Sequence, residues 1–145
     1  MTSEAGKILI VDDDRDFVEA LSSFLEAHHY VVLKAHDGRE GLKLAKLERP
    51  DLIIMDIIMN ERTEGFFTVQ EIRRAAELKT VPIFVLSSLY SQVADFGIPP
   101  DSSWLAHDEF LHKPVNMPEL LEKVQRRMEE RHRNLEAPVG RKAET

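Results

Sequence analysis

Five short apolar runs alternate along this chain with longer amphipathic segments, and this alternation restricts the fold more than any other feature. The runs span residues 7–11, 30–34, 51–59, 81–86 and 110–112. They are rich in isoleucine, valine and leucine, which is typical of strands buried on both faces. Strands that alternate with helices form a parallel sheet with helices on both sides and right-handed crossovers. The sequence therefore predicts a three-layer, doubly wound α/β domain of the (βα)5 type.

Five segments with helical features separate and follow these runs. Four are expected to span about residues 14–28, 37–48, 65–78 and 116–133. Their capping signals are Asp14 or Asp16 in the first, Asp37 with Glu40 in the second, and Asn116 with Glu119 in the last. The remaining segment, 89–107, contains glycine and two prolines, which favours at most a short helix there.

Helical periodicity indicates which side chains of these segments face the core. In the first helix the predicted core residues are Phe17, Leu21, Phe24, Leu25 and His28. In the second they are Leu42 and Ala45, in the third Phe66, Val69, Ile72 and Ala76, and in the last Leu121, Val124 and Met128.

The third apolar run begins at Asp51 and contains a single carboxylate in its interior. Seven of the ten residues from 51 to 60 are large and apolar, and Asp56 is the only polar residue inside the run. It lies near the carboxyl end of the predicted strand, and in open α/β sheets ligands bind at that edge. Taken alone, Asp56 is better explained as a residue that ends the strand and caps a loop, so its role depends on its neighbours.

Polar residues also follow the other predicted strands at this edge. Asp12 and Asp13 follow the first strand, Ser87 ends the fourth, and Lys113 follows the fifth. Because parallel strands end on one side of a sheet, we expect these residues to lie near Asp56. Each also has an ordinary explanation, since acidic residues cap helices, serines end strands in turns, and lysines are usually solvated.

Length and composition fit one globular domain, which we expect at residues 1–133, with a disordered polar tail at 134–145. The absence of cysteine excludes disulfides and thiolate metal sites, and the six histidines are too scattered to suggest zinc. The chain shows neither a secretion signal nor an apolar run of membrane-spanning length, so a cytoplasmic location without membrane contact is expected. The net charge of −7 argues against direct nucleic-acid binding.

The ordered set of strand-end residues, together with Pro114 after Lys113, resembles the receiver domain of two-component response regulators, the CheY-like family. The resemblance covers roughly residues 6 to 130. It implies a flavodoxin-like five-stranded parallel sheet in the order 2-1-3-4-5. It also implies that Asp56 is the phosphoacceptor of a phosphorelay and that its phosphorylation depends on Mg²⁺.

The resemblance gives each of the other strand-end residues a role. Mg²⁺, for which Mn²⁺ can substitute, would be held by Asp12 (through water), Asp13, Asp56 and the backbone carbonyl of Ile58. Ser87 and Lys113 would bind the phosphoryl group, with the Lys113–Pro114 bond usually cis. Phe110 would be the switch aromatic. Three carboxylates in close proximity would raise one another's pKa values, and a divalent cation would relieve that repulsion.

As a receiver, the protein would accept its phosphoryl group from a separate histidine kinase or phosphotransfer protein and would switch its binding to a downstream protein partner. A phosphorylation-dependent homodimer of this chain is left open as a further form of output. The fourth helix, fifth strand and fifth helix would form the readout face. The chain would catalyse only its own phosphorylation and dephosphorylation. Dephosphorylation is expected to be slow, because Ile58 and Leu89 are apolar where family members often carry groups that handle the hydrolytic water.

Two alternatives to a phosphorylated receiver stay open. An atypical receiver would bind partners without phosphorylation, because the loop after Asp56 and the 89–107 stretch are both longer than the family pattern. A flavodoxin-like cofactor binder is less favoured, since no glycine-rich phosphate loop follows the first strand and the acidic residues 12–14 would repel a phosphate.

Overall fold

The computed structural model describes residues 6–57, 64–87 and 109–136. The elements in chain order are β1 (Gly6–Val11), α1 (Arg15–Glu26), β2 (Tyr30–Ala35), α2 (Gly38–Glu48), β3 (Leu52–Asp56), α3 (Glu64–Arg74), a short 3-10 helix (Ala76–Leu78), β4 (Ile83–Ser87), β5 (Glu109–His112) and α4 (Met117–Glu136). The predicted short helix within 89–107 and the loop after Asp56 lie outside the described residues.

The five strands form one parallel sheet in the order β2-β1-β3-β4-β5, as predicted. Successive residues of a strand point to opposite faces of a sheet. In β1, accordingly, Leu9 and Val11 belong to the core that α2 and α3 cover, whereas Ile8 and Ile10 belong to the core that α1 and α4 cover. All four side chains are fully buried, which explains why this strand is a continuous apolar run.

The predicted helix caps are present. Asp14 Oδ1 accepts a hydrogen bond from the backbone N–H of Phe17 at 3.1 Å. Asp37 Oδ1 accepts from Glu40 N–H at 2.8 Å, and Asn116 Oδ1 accepts from Glu119 N–H at 2.9 Å. These bonds satisfy N–H groups that the first turn of each helix leaves unpaired, and they fix where α1, α2 and α4 begin.

Among the predicted core residues whose side chains are described, two are exposed, because their helices end earlier than the periodicity suggested. The side chain of Phe66, which was also predicted to face the core, lies outside the described part of the structure. The helix α1 ends at Glu26, so His28 lies in the following turn, where its ring contacts Phe24 with the centroids 5.1 Å apart. The helix α3 ends at Arg74, and Ala75 is extended (φ −75°, ψ 124°), which turns Ala76 outward and Leu78 inward. The last helix, α4, runs three residues beyond the predicted end, to Glu136.

Among the helices that the structure describes, none combines the length and the apolar character that a membrane-spanning segment needs.

Candidate functional site

The carboxyl ends of β1 and β3 bring Asp12 and Asp56 to one edge of the sheet. Val11 pairs with Met55 across these neighbouring strands, so the residues that follow them come out side by side. The backbone N–H of Asp12 donates to the carbonyl of Ala35 at 3.1 Å, and the N–H of Ile57 donates to the carbonyl of Leu86 at 3.1 Å. These bonds hold both acidic residues at the point where the sheet ends.

Three carboxylates meet at this edge. Asp12, Asp13 and Asp56 each offer one oxygen, and these oxygens all lie within 4.8 Å of one another. Asp12 is 1% exposed and Asp56 6%, whereas Asp13 is more accessible to solvent. The structure shows no other group of three metal-ligating side chains in the ranges 6–57, 64–87 and 109–136. An open cluster of carboxylate oxygens fits a hard divalent cation such as Mg²⁺, which keeps part of its water shell.

Lys113 brings the opposing charge from the end of β5. Its Nζ donates to Asp12 Oδ2 at 2.6 Å and to Asp56 Oδ2 at 3.2 Å, and its side chain is 14% exposed. The Lys113–Pro114 bond is cis. Burial opposes the charged form of Lys113, but the hydrogen bond to Asp12 and the charges of Asp56 and Asp12 outweigh it and raise the pKa of the ammonium. Lys113 is therefore a cation at neutral pH.

Asp12 is the most deeply buried of the three acids. Burial raises the pKa of its carboxyl above the ordinary value, although the hydrogen bond from Lys113 and one from the backbone of Asp14 act in the opposite direction. The latter runs from Asp14 N–H to Asp12 Oδ1 at 2.9 Å. The ionised carboxylate is thus held in place at a cost to stability, which is common where charge serves function.

Gly65, in the first turn of α3, allows that helix to approach the end of β3. A Cβ at this position would collide with the carbonyl oxygen of Asp56 and lie 2.6 Å from Cα of Ile57. Only glycine permits this contact, so the backbone that carries Asp56 is packed directly against α3.

The remaining predicted site residues are only partly described. Ser87 ends β4, in register with His112 of the neighbouring strand, and its backbone alone is described. Phe110 lies in β5 and packs against the core beneath α2 and α3, with its ring 5.8 Å from that of His112. The predicted carbonyl ligand, Ile58, lies outside the described residues.

Two residues at the site were not identified as functional from the sequence. The ring of Phe17 lies under Lys113, with Nζ 4.5 Å from the ring centroid, although periodicity indicated only a core residue. His36 Nδ1 lies 3.2 Å from the carbonyl oxygen of Asp12. Since a carbonyl can only accept, a hydrogen bond at this distance requires the histidine tautomer with its proton on Nδ1. The one available signal was position, because His36 directly follows β2 at the same edge of the sheet.

A doubly wound sheet with an acidic cluster and an opposing lysine at its carboxyl edge defines a class of small signalling domains, and comparisons with known proteins identify it. The family model for the response regulator receiver domain matches residues 8–125. The protein belongs to this family and is a receiver of phosphorelay signal transduction in two-component systems.

The known proteins that are similar to this chain include one of nearly the same length and several that are about twice as long. Protein PilH of Pseudomonas aeruginosa is 31% identical over 122 residues, covering 82% of this chain and 94% of PilH. The DNA-binding dual master transcriptional regulator RpaA of Synechocystis is 35% identical over 118 residues, covering 81% of this chain but 47% of RpaA. The chain thus spans nearly all of PilH and about half the length of the larger regulators it matches.

Solved structures of receiver proteins share the fold. The chemotaxis response regulator CheY4 of Vibrio cholerae superposes with a TM-score of 0.71 at 32% identity, covering 83% of this chain and 97% of CheY4. The receiver domain of the sensor histidine kinase PA1611 from Pseudomonas aeruginosa gives a TM-score of 0.74 at 26% identity, covering 85% of this chain and 97% of that domain. The PA1611 structure holds a magnesium ion coordinated in its active-site cleft.

Proposed function

We propose that this receiver accepts a phosphoryl group on Asp56 from a histidine kinase or phosphotransfer protein. The observation that carries the proposal is the meeting of Asp56 with Asp12, Asp13 and Lys113 at the carboxyl edge of the sheet. Asp56 is the last residue of β3, and the other four residues of this strand are fully buried. Its carboxylate is therefore rigidly mounted. The carboxylate of Asp56 is also paired with the ammonium of Lys113, whose positive charge can attract an incoming phosphoryl group.

In the proposed reaction a carboxylate oxygen of Asp56 attacks the phosphorus atom of a phosphohistidine. The new P–O bond forms as the P–N bond breaks, and the donor imidazole leaves with the bonding electrons and takes up a proton. The Lys113 ammonium turns from Asp12 and Asp56 towards the phosphoryl oxygens and stabilises the negative charge that collects on them. The product is an acyl phosphate on Asp56.

The acidic cluster would hold the divalent cation that this reaction requires. Asp13, Asp56 and the Ile58 carbonyl would supply direct oxygen ligands, and Asp12 would act through a bound water. A bound Mg²⁺ supplies electrostatic stabilisation of the charge that develops during transfer. The donor set fits Mg²⁺ and Mn²⁺ on chemical grounds, and the magnesium ion in the PA1611 receiver supports the assignment.

The switch follows from the charge that phosphorylation adds, about −1.5 to −2 by analogy with phosphorylated hydroxyl groups. Only the phosphorylated state gives Ser87 and Lys113 a phosphoryl partner, and such a differential contact shifts a conformational equilibrium. Phe110, three residues before Lys113 on β5, is the proposed switch aromatic. The output is a changed affinity for a cytoplasmic protein partner or for a second copy of the chain, followed by slow self-dephosphorylation.

Titration with beryllofluoride and Mg²⁺ tests this function, because beryllofluoride forms a stable mimic of the acyl phosphate. We expect backbone amide shifts around Asp56 and along β5, measured by NMR, only when both reagents are present. Asp56→Asn should abolish the response, whereas Asp16→Asn should keep it, because Asp16 is exposed on α1 outside the cluster. A receiver that acts without phosphorylation would leave the spectrum unchanged. Light scattering on the same samples reports any homodimer.

A further inference from the structure

Phe17 lies beside the site in a position that the roles above do not explain. Its ring centroid is 4.5 Å from Nζ of Lys113, within the distance of about 6 Å at which an ammonium is attracted to an aromatic face. The ring is partly buried against the core under α1 and α4. The ammonium is therefore held between two carboxylates and an aromatic ring.

Four contacts connect Phe17 and Lys113 in a closed circuit. Asp12 Oδ1 accepts from Asp14 N–H at 2.9 Å, and Asp14 Oδ1 accepts from Phe17 N–H at 3.1 Å. The Phe17 ring then contacts Lys113, whose Nζ donates to Asp12 Oδ2 at 2.6 Å. The position of the ring is thus fixed relative to Asp12 through the N-cap of α1.

The partners of the ammonium among the described residues, Asp12, Asp56 and Phe17, differ in what else they can bind. Asp12 and Asp56 are the groups that a divalent cation and a phosphoryl group engage, so their bonds to Lys113 must change during the reaction. An aromatic face attracts a cation but is neither a metal ligand nor an acceptor for phosphate. Phe17 is therefore the one of these three partners whose contact can persist throughout.

We propose that Phe17 is a positioning residue for phosphoryl transfer, whose ring keeps the Lys113 ammonium at the site when that ammonium turns from Asp12 and Asp56 to the phosphoryl oxygens. The role rests on the proposed phosphorylation of Asp56. It requires a ring at position 17, and an aliphatic side chain of similar bulk would fill the space without holding the cation.

NMR of the full chain tests the contact itself. Protons above an aromatic ring shift upfield, so the terminal methylene protons of Lys113 should resonate upfield of those of the exposed Lys43. Phe17→Leu should remove this shift and Phe17→Tyr should keep it. Lys113 resonances at ordinary positions in the unmodified protein, or unchanged in Phe17→Leu, would overturn the proposal.

Affinities separate positioning from simple packing. With Mg²⁺ saturating, we expect Phe17→Leu to weaken beryllofluoride binding by about fivefold, within the range of a cation–π contact, and Phe17→Tyr to bind as the unmodified protein does. The affinity for Mg²⁺ alone should stay within about twofold, because Asp12 and Asp13 remain in place. In a Lys113→Met background, Phe17→Leu should have no further effect. An equal loss in that background, or a parallel loss of Mg²⁺ affinity, would show a packing role and contradict the proposal.

The two proposals fail in different ways. If the unmodified protein does not bind beryllofluoride, the phosphoacceptor function is wrong and the positioning role falls with it. If it binds and Phe17→Leu binds equally well, the function stands and the role of Phe17 is wrong. Should Phe17→Leu not fold, Phe17→Ile and the NMR shifts of the unmodified protein give the same decision.

Discussion

Lys113 lies closer to Asp12 than to Asp56, with Nζ at 2.6 Å from the first carboxylate and 3.2 Å from the second. The lysine thus neutralises part of the acidic cluster and competes for the oxygens that a divalent cation would use. The positive charge of Lys113 offsets part of the negative charge of the acidic cluster, and a bound divalent cation would change this balance of charge.

Removal of the ammonium should expose this competition. We expect Lys113→Met to bind Mg²⁺ several-fold more tightly by calorimetry, because Asp12 and Asp56 lose their internal partner. Without metal, the variant should lose about 3 kcal/mol of unfolding free energy, since two buried carboxylates lose the ammonium that they share. Mg²⁺ should restore most of that stability. Weaker Mg²⁺ binding than in the unmodified protein would contradict the competition.

The raised pKa of Asp12 makes the stability of the folded protein depend on pH, and the direction of the shift fixes the direction of this dependence. Because burial raises the pKa of Asp12 in the folded protein, the folded state binds this proton more tightly than the unfolded chain does. This contribution to stability is therefore present below the unfolded pKa near 3.8 and is lost as pH rises through the folded value.

The same sign predicts the behaviour of Asp12→Asn. In metal-free buffer this variant should be more stable than the unmodified protein at pH 7, and the difference should shrink as pH is lowered towards 4. Urea unfolding at several pH values measures it. A difference that grows on acidification would show that the pKa of Asp12 is lowered by folding instead.

Gly65 couples α3 to the phosphoacceptor strand. We expect Gly65→Ala to cost about 1–3 kcal/mol, because its Cβ would collide with the carbonyl of Asp56, and to slow phosphorylation by a small-molecule donor. Gly41→Ala is a matched helical control, since its Cβ would meet the Val11 side chain at 2.8 Å, and a side chain can move. Equal effects of both changes on phosphorylation would contradict a specific link to Asp56.

Ser22 carries a buried hydroxyl that has no hydrogen-bond partner among the described residues. Ser22→Ala should therefore raise the unfolding free energy by about 1 kcal/mol more than Ser23→Ala does. Ser23 is the adjacent exposed residue of the same helix, so the comparison removes the gain in helix propensity. Equal gains at both positions would show that the hydroxyl of Ser22 finds a partner in solution.

Local patterns in the sequence predicted the alternation of strands and helices and placed Asp12, Asp13, Asp56 and Lys113 at one edge of the sheet, whereas the strand order came from the resemblance to the receiver family. Continuous apolar runs marked the strands, and one carboxylate inside such a run marked Asp56. Helix ends were predicted less well, since neither glycine nor proline directly follows Glu26 or Arg74. The backbone nevertheless leaves the helical conformation at Ala75 (ψ 124°) and at His29 (φ 75°). The contacts of Phe17 with Lys113 and of His36 with Asp12 join residues far apart in the chain, and no spacing along the sequence reveals them.

The most direct test of the central claim is the chemical identity of the phosphorylated residue. The protein is incubated with acetyl phosphate and Mg²⁺, reduced with borohydride to convert any aspartyl phosphate to homoserine, and digested for mass spectrometry. We predict homoserine at position 56 alone, with none when Mg²⁺ is chelated and none in Asp56→Asn. No modification at position 56, under conditions in which a known receiver is labelled, would contradict the account.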